Sequence, residues 1–225
     1  MIIEFNGLPG TGKTTVAGEV EALLEKRNIK PVFRYQRKEN RIKSYLSYIF
    51  DGSLRLYGLA RKYTNSIPGG NRAERLKTAS VLVYYYRMYR HFTKDCPNQV
   101  LLIDQGLLQG LISIPHTDCI ADRNSLDRIL RFLAKRKTDV CLVHCKTDVE
   151  LSFKRMRQRN TTAGRLDRCG DEELLKNLKI QEHNFEIVRD AAEGSLSCKQ
   201  VEIDTQFPPD ENALKILNTF LEVDG

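Results

Sequence analysis

The stretch that most limits what this chain can become is Gly7-Leu-Pro-Gly-Thr-Gly-Lys-Thr14. It fits G-x-x-x-x-G-K-[ST], the phosphate-binding P-loop. Before it, residues 1–6 read as a short apolar strand. After it, Thr14 to Arg27 reads as a helix, with Val16, Val20, Leu23 and Leu24 at helical spacing. A strand that turns through glycines into a helix is a device for anions. Backbone N–H groups turn inward around a polyphosphate, and the helix N-terminus adds partial positive charge. Gly7, Pro9, Gly10, Thr11, Gly12, Lys13, Thr14 and Thr15 are therefore expected to hold the phosphates of ATP. Lys13 would reach the β- and γ-phosphates and act in the chemistry, and the Thr14 hydroxyl would ligate Mg²⁺.

The rest of the chain alternates strands with helices. Pro31 to Arg34, Gln99 to Asp104, Thr138 to His144 and Lys199 to Asp204 read as further strands. Helices are expected over residues 39–62 (one or two), 73–94, 125–137, 149–159, 171–190 and 210–221, with Ser125 as an N-cap. Residues 63–71, with Pro68-Gly-Gly, read as a loop. Such alternation implies a three-layer α/β/α fold with a mostly parallel sheet of about five strands. At 225 residues one domain suffices. Its core is expected over 1–34, 97–159 and 171–225, with an acceptor-binding helical region near 35–96 and a lid near 155–170. No apolar run approaches a membrane span, and no leader is recognisable, so a cytoplasmic protein with reduced thiols is expected.

The net charge of +7 (36 basic, 29 acidic residues) suits anionic ligands. The basic residues form no long tail, which favours small anions over nucleic acid. Asp104 ends the most apolar strand, where open α/β sheets bind ligands. A carboxylate there can hold Mg²⁺ or accept the proton of an attacking hydroxyl; the plainer reading is a turn or capping Asp. Arg155, Arg157 and Arg159, then Arg165 and Arg168, flank a glycine-bearing loop. Arg155 and Arg159, four apart, share a helix face. Mobile arginines there can stabilise a transferring phosphoryl group, although a solvated basic face is the commoner fate of such runs. Tyr84-Tyr-Tyr-Arg-Met-Tyr-Arg90 could offer Tyr84 and Arg87 to an acceptor, or simply bury its rings. His144 lies between Cys141 and Cys145, but on a strand it faces opposite to them, so no metal site follows.

With these residues in hand, the chain resembles the thymidylate kinase family of P-loop nucleoside monophosphate kinases. The resemblance runs in order over most of the chain, and only the P-loop is individually specific. Phe5 to Thr15 resembles that family's first strand and loop. Leu102-Ile-Asp104-Gln-Gly is similar to its strand ending in Asp-Arg, and Leu151 to Arg159 to its pre-lid helix. Arg165 to Arg168 resembles the end of its lid. Ile203-Asp-Thr-Gln206 looks like the loop bordering adenine. The resemblance implies that Arg155 lies on adenine beside Asp204 and Thr205, and that Arg159 and Arg168 reach phosphates. It implies an acceptor held by Arg34, Arg72, Tyr84, Arg87, Asp104 and Gln105, and a homodimer.

Two positions depart from that family's pattern. Pro9 stands where the family usually has an acidic residue, and Gln105 where it has arginine. Both concern the acceptor, and residues 36–75 are unusually basic. The expected activity is transfer of the γ-phosphate of MgATP to a small acceptor, a nucleoside monophosphate first. A nucleoside, antibiotic or sugar hydroxyl is the second reading. A nucleotide-dependent RNA-binding or regulatory protein is the reading from another class.

Overall fold

A computed structural model describes residues 1–33, 52–65, 72–113, 123–136, 140–159 and 166–221. Strand β1 (Ile2–Gly7) leads through the P-loop into α1 (Lys13–Lys26). Helices α2 (Ser53–Asn65) and α3 (Arg72–Asp95) follow, then β2 (Leu101–Ile103), α4 (Leu107–Ser113) and α5 (Arg123–Ala134). The chain continues through β3 (Val140–Lys146), α6 (Val149–Gln158), a 3₁₀ turn (Leu166–Arg168), α7 (Asp171–Ser195), β4 (Gln200–Asp204) and α8 (Pro209–Phe220).

All pairings in the sheet are parallel, in the order β2-β1-β3-β4. Of the expected strand at residues 31–34, the described residues form one parallel bridge, Val32 beside Leu101. There the Val32 amide donates to Val100 at 2.8 Å and the Val32 carbonyl accepts from Leu102 at 2.9 Å. Among the described residues the sheet therefore has four strands and a further bridge on the β2 edge. Arg34, expected to close that strand, lies outside the described residues, as do Cys119 and Arg165.

Alternation along β1 sets the layers. Ile3 and Phe5 pack with Val16, Val20 and Leu24 of α1 and with Ile216 and Leu217 of α8. On the other face Ile2 joins the larger cluster, which runs through α2, α3, α4, α5 and α7. Glu4 and Asn6 share that second face and are fully buried, which is unusual inside a parallel strand.

Two local expectations need correction. Ser125 is not an N-cap, because α5 already runs from Arg123. Its side chain is buried beside Leu126, where a core-facing position outweighs capping preference. Helix α4 was not legible at all: it has seven residues and carries Gly110, too short for a periodic signal. His144 behaves as its strand position requires. It faces away from Cys141 and Cys145, with Nδ1 2.9 Å from Asn6 Oδ1 and Nε2 2.9 Å from Gln200 Oε1. Among the described residues no helix is long and apolar enough to cross a membrane.

Candidate active site

The P-loop wraps the N-terminus of α1 at the carboxyl end of the sheet. Two glycines are required by space as well as by backbone angle. A Cβ on Gly7 (φ 147°) would lie 2.4 Å from the Cys145 carbonyl oxygen. One on Gly10 (φ 84°) would lie 2.7 Å from that of Ser152. Close approach to β3 and α6 is therefore what excludes side chains there. The first turn of α1 has no side-chain cap and no acidic residue, whereas α7 opens with Asp171, Glu172 and Glu173. The free N–H groups of α1 are left for an anion.

Three side chains from elsewhere fix the loop. The Gly7 amide donates to Gln109 Oε1 at 2.9 Å. The Ser152 hydroxyl donates to the Pro9 carbonyl. Arg155 donates to the Thr11 carbonyl at 3.3 Å, and to the Thr205 hydroxyl at 3.3 Å and carbonyl at 2.9 Å. Arg155 thus ties the loop to the turn after β4. That turn is itself ordered: the Gln206 amide donates to Asp204 Oδ1 at 2.9 Å, and Thr205 Oγ1 to the Lys146 carbonyl at 3.1 Å.

Lys13 folds its amine inside the loop, donating to the Gly7 carbonyl at 2.9 Å and the Leu8 carbonyl at 2.6 Å. Burial pushes its pKa down to about 8; the Cys145 thiol raises it, the nearby Arg159 guanidinium lowers it and Asp104 raises it. It stays mostly charged at neutral pH, and an arriving polyphosphate would hold it so. The Thr14 hydroxyl donates to Asp104 Oδ2 at 3.2 Å, in an exposed setting. Two adjacent oxygen donors with open space around them fit a magnesium ion, which keeps most of its waters.

Above α1, Gly10, Thr11, Gly12, Thr15, Arg155, Arg159, Thr205 and Phe207 line a cavity of about 290 Å³, with Val16 and Pro209. Sequence reasoning reached Arg155, Arg159 and Thr205 but missed Phe207. Its ring is 59% exposed at the mouth of this cavity, and an aromatic between Gln206 and Pro208 in a turn after a strand was the available signal. Arg157 is not part of the cavity. It pairs with Asp171 Oδ1 at 2.8 Å, donates to the Cys169 carbonyl at 2.8 Å and lies over the Phe153 ring at 5.5 Å. Arg168 is exposed on the 3₁₀ turn and does not line the cavity either.

On the other side of Asp104, Tyr84 and Arg87 lie on α3, where Tyr85 between them is half-buried. Its phenol pKa is raised first by burial, then by Glu4, Tyr84 and Asp104. Tyr84 is 54% exposed and meets Tyr85 edge-on, ring centroids 5.4 Å apart. Arg87 follows Tyr85 by two positions, about 200° around the helix, so it sits on a different side of α3. Arg72 is exposed in the first turn of α3, roughly 22 Å from Arg87 at about 1.5 Å per residue. Gln105 is exposed next to Asp104.

No family model matches this sequence. No curated protein matches it. Among solved structures, the fold is similar to that of a deoxyadenosine kinase from M.mycoides with bound dATP. The identity is 15%, the TM-score 0.49, and the match covers 97% of this chain and 98% of that chain. At that identity and score the likeness is one of outline.

Proposed function

We propose that the chain is an ATP-dependent phosphotransferase, which moves the γ-phosphate of MgATP to a small acceptor. The observation that carries this is the convergence of Lys13, the Thr14–Asp104 pair, and the Arg155–Phe207 cavity around one uncapped helix N-terminus. In this reading the P-loop amides and Lys13 bind the phosphates, and Thr14 with Asp104 would hold Mg²⁺, which would supply charge neutralisation to them. The purine lies between the Arg155 guanidinium and the Phe207 ring, with Asp204 and Thr205 at its edge. Arg159, close enough to Lys13 to lower its pKa, reaches the group in flight. Arg168 would join it when residues 155–170 close as a lid.

The acceptor sits on the far side of Asp104, against Gln105 and Tyr85. A monophosphate acceptor calls for arginines that converge on its phosphate. Arg72 and Arg87 stand roughly 22 Å apart along α3, too far to clamp one phosphate together. We read the acceptor instead as a hydroxyl on a nucleoside-like molecule, with Asp104 accepting its proton. Steady ADP release from MgATP would be measured with nucleosides, nucleoside monophosphates and hydroxyl-bearing antibiotics. Stimulation by nucleosides supports the hydroxyl reading, and stimulation by monophosphates alone restores the thymidylate kinase-like one. No stimulation by any of them, with RNA binding that weakens steeply with salt, would favour the nucleotide-dependent RNA-binding reading.

A further inference from the structure

A second cavity, of about 550 Å³, lies at the opposite end of the sheet, among the starts of β1, β3 and β4 and the ends of α5, α7 and α8. That volume falls within the range of roughly 300–1,000 Å³ typical of small-ligand pockets and far exceeds a packing defect. Glu4 and Tyr89 supply its polar floor, and Leu108, Leu133, Cys198 and Phe220 are among its walls. Lys199 also lines it but donates to the Phe220 carbonyl at 3.5 Å.

Glu4 is the unexplained group. It is 1% exposed, and among the described residues no cationic side chain pairs with it. Its partners are neutral donors: the Tyr89 hydroxyl at 2.8 Å, the Leu108 amide at 2.6 Å and the Gln109 amide at 3.2 Å. A carboxylate accepts about four hydrogen bonds, so one acceptor position is left beside an apolar chamber, and the ionised form has no cation next to it among the described residues. A cationic N–H satisfies both. Glu4 also holds α4 in place, and Gln109 of that helix holds the Gly7 amide at the start of the P-loop. Gly106 must be a glycine for this contact, because a Cβ there would lie 2.2 Å from the Tyr89 hydroxyl and 2.4 Å from Glu4 Cδ.

We propose that this cavity is an effector site for a small apolar molecule with a cationic amine head, and that its occupancy reaches the P-loop through Glu4, α4 and the Gln109–Gly7 bond. The apolar body fills the chamber and the amine meets Glu4. Drawing Glu4 toward an amine changes its grip on the Leu108 and Gln109 amides, and with it the position of Gln109 Oε1.

The test uses the full chain with tryptamine, and tryptophol as the neutral molecule of the same shape. Calorimetry should give tryptamine binding at least about tenfold tighter than tryptophol, lost in the cavity-filling variant Cys198→Phe and reduced to the tryptophol level in Glu4→Gln. In ¹⁵N NMR spectra the Gly7 amide should shift with the same midpoint as tryptamine binding, and stay still in Gln109→Met while tryptamine still binds. These readouts need no turnover and do not depend on the kinase reading. Equal binding of the two molecules, or tryptamine binding that survives Cys198→Phe, would overturn the site. Tight tryptamine binding with an unmoved Gly7 resonance would overturn its link to the P-loop.

Discussion

On the P-loop side of Asp104, the candidate binding groups come from eight consecutive residues, Gly7 to Thr14, braced by Gln109, Ser152 and Arg155 through hydrogen bonds. On the α3 side the candidates come from separate elements, and among the described residues Arg72 and Arg87 stand roughly 22 Å apart along the helix. The contrast has a physical origin. A P-loop is a local object: glycine angles and a helix N-terminus create it within one turn of chain, so its residues are interchangeable with its motif. An acceptor pocket depends on which face of a long helix points inward. One residue's difference in phase turns a side chain by about 100°.

The largest expected effect breaks the nucleotide side. Lys13→Ala should lower kcat by more than about a hundredfold. Thermal stability should hold or rise slightly, since burial lowers the Lys13 pKa to about 8 and its charged form gains nothing from folding. Turnover near wild type would remove Lys13 from the chemistry.

A second prediction separates Arg159 from Phe207. Arg159→Ala should cut kcat roughly a hundredfold with little change in MgATP affinity, because its partner is the group in flight. Phe207→Ala should do the reverse, raising the KM for ATP about five- to tenfold with kcat nearly kept. If both variants changed only KM, Arg159 would belong to the base site.

The third tests the α3 side. Tyr85→Phe or Tyr85→Ala should raise the acceptor KM several-fold, and Arg87→Ala should change it less than about twofold. A large Arg87 effect with a silent Tyr85 would reinstate the phosphate-bearing acceptor.

The smallest effect concerns stability. Burial raises the Glu4 pKa from 4.5 to about 7 in the folded chain. A folded-state pKa above the unfolded one gives stability that is complete below pH 4.5 and lost as pH rises through 7, in total about 3 kcal/mol. Burial lowers the His144 pKa, which gives the opposite slope nearby, but that contribution is common to both proteins. Denaturant midpoints at pH 5 and pH 8 should therefore separate wild type from Glu4→Gln by different amounts, with wild type relatively weaker at pH 8. An unchanged difference would mean that Glu4 keeps its ordinary pKa.

The parts of the fold written in local pattern were legible: the P-loop, the apolar runs of β1 and β3, and the periodic helices. Of the second strand the described residues show one bridge, Val32 beside Leu101, and apolar character at Val32 and Phe33 does not say which of the two bonds to the edge of β2. Tyr84 and Tyr85 are indistinguishable in sequence, and only the packing of α3 leaves Tyr84 exposed and Tyr85 half-buried. Gln109 and Glu4 lay outside any motif, because their roles exist only where α4 crosses the end of β1.

The most direct measurement follows label from [γ-³²P]ATP to a panel of nucleosides, nucleoside monophosphates and hydroxyl-bearing antibiotics, in wild type and in Asp104→Asn. Label is expected on a nucleoside hydroxyl with wild type and at least about a hundredfold less with Asp104→Asn. Transfer undiminished in Asp104→Asn, or label released only as inorganic phosphate whatever the acceptor, would contradict it.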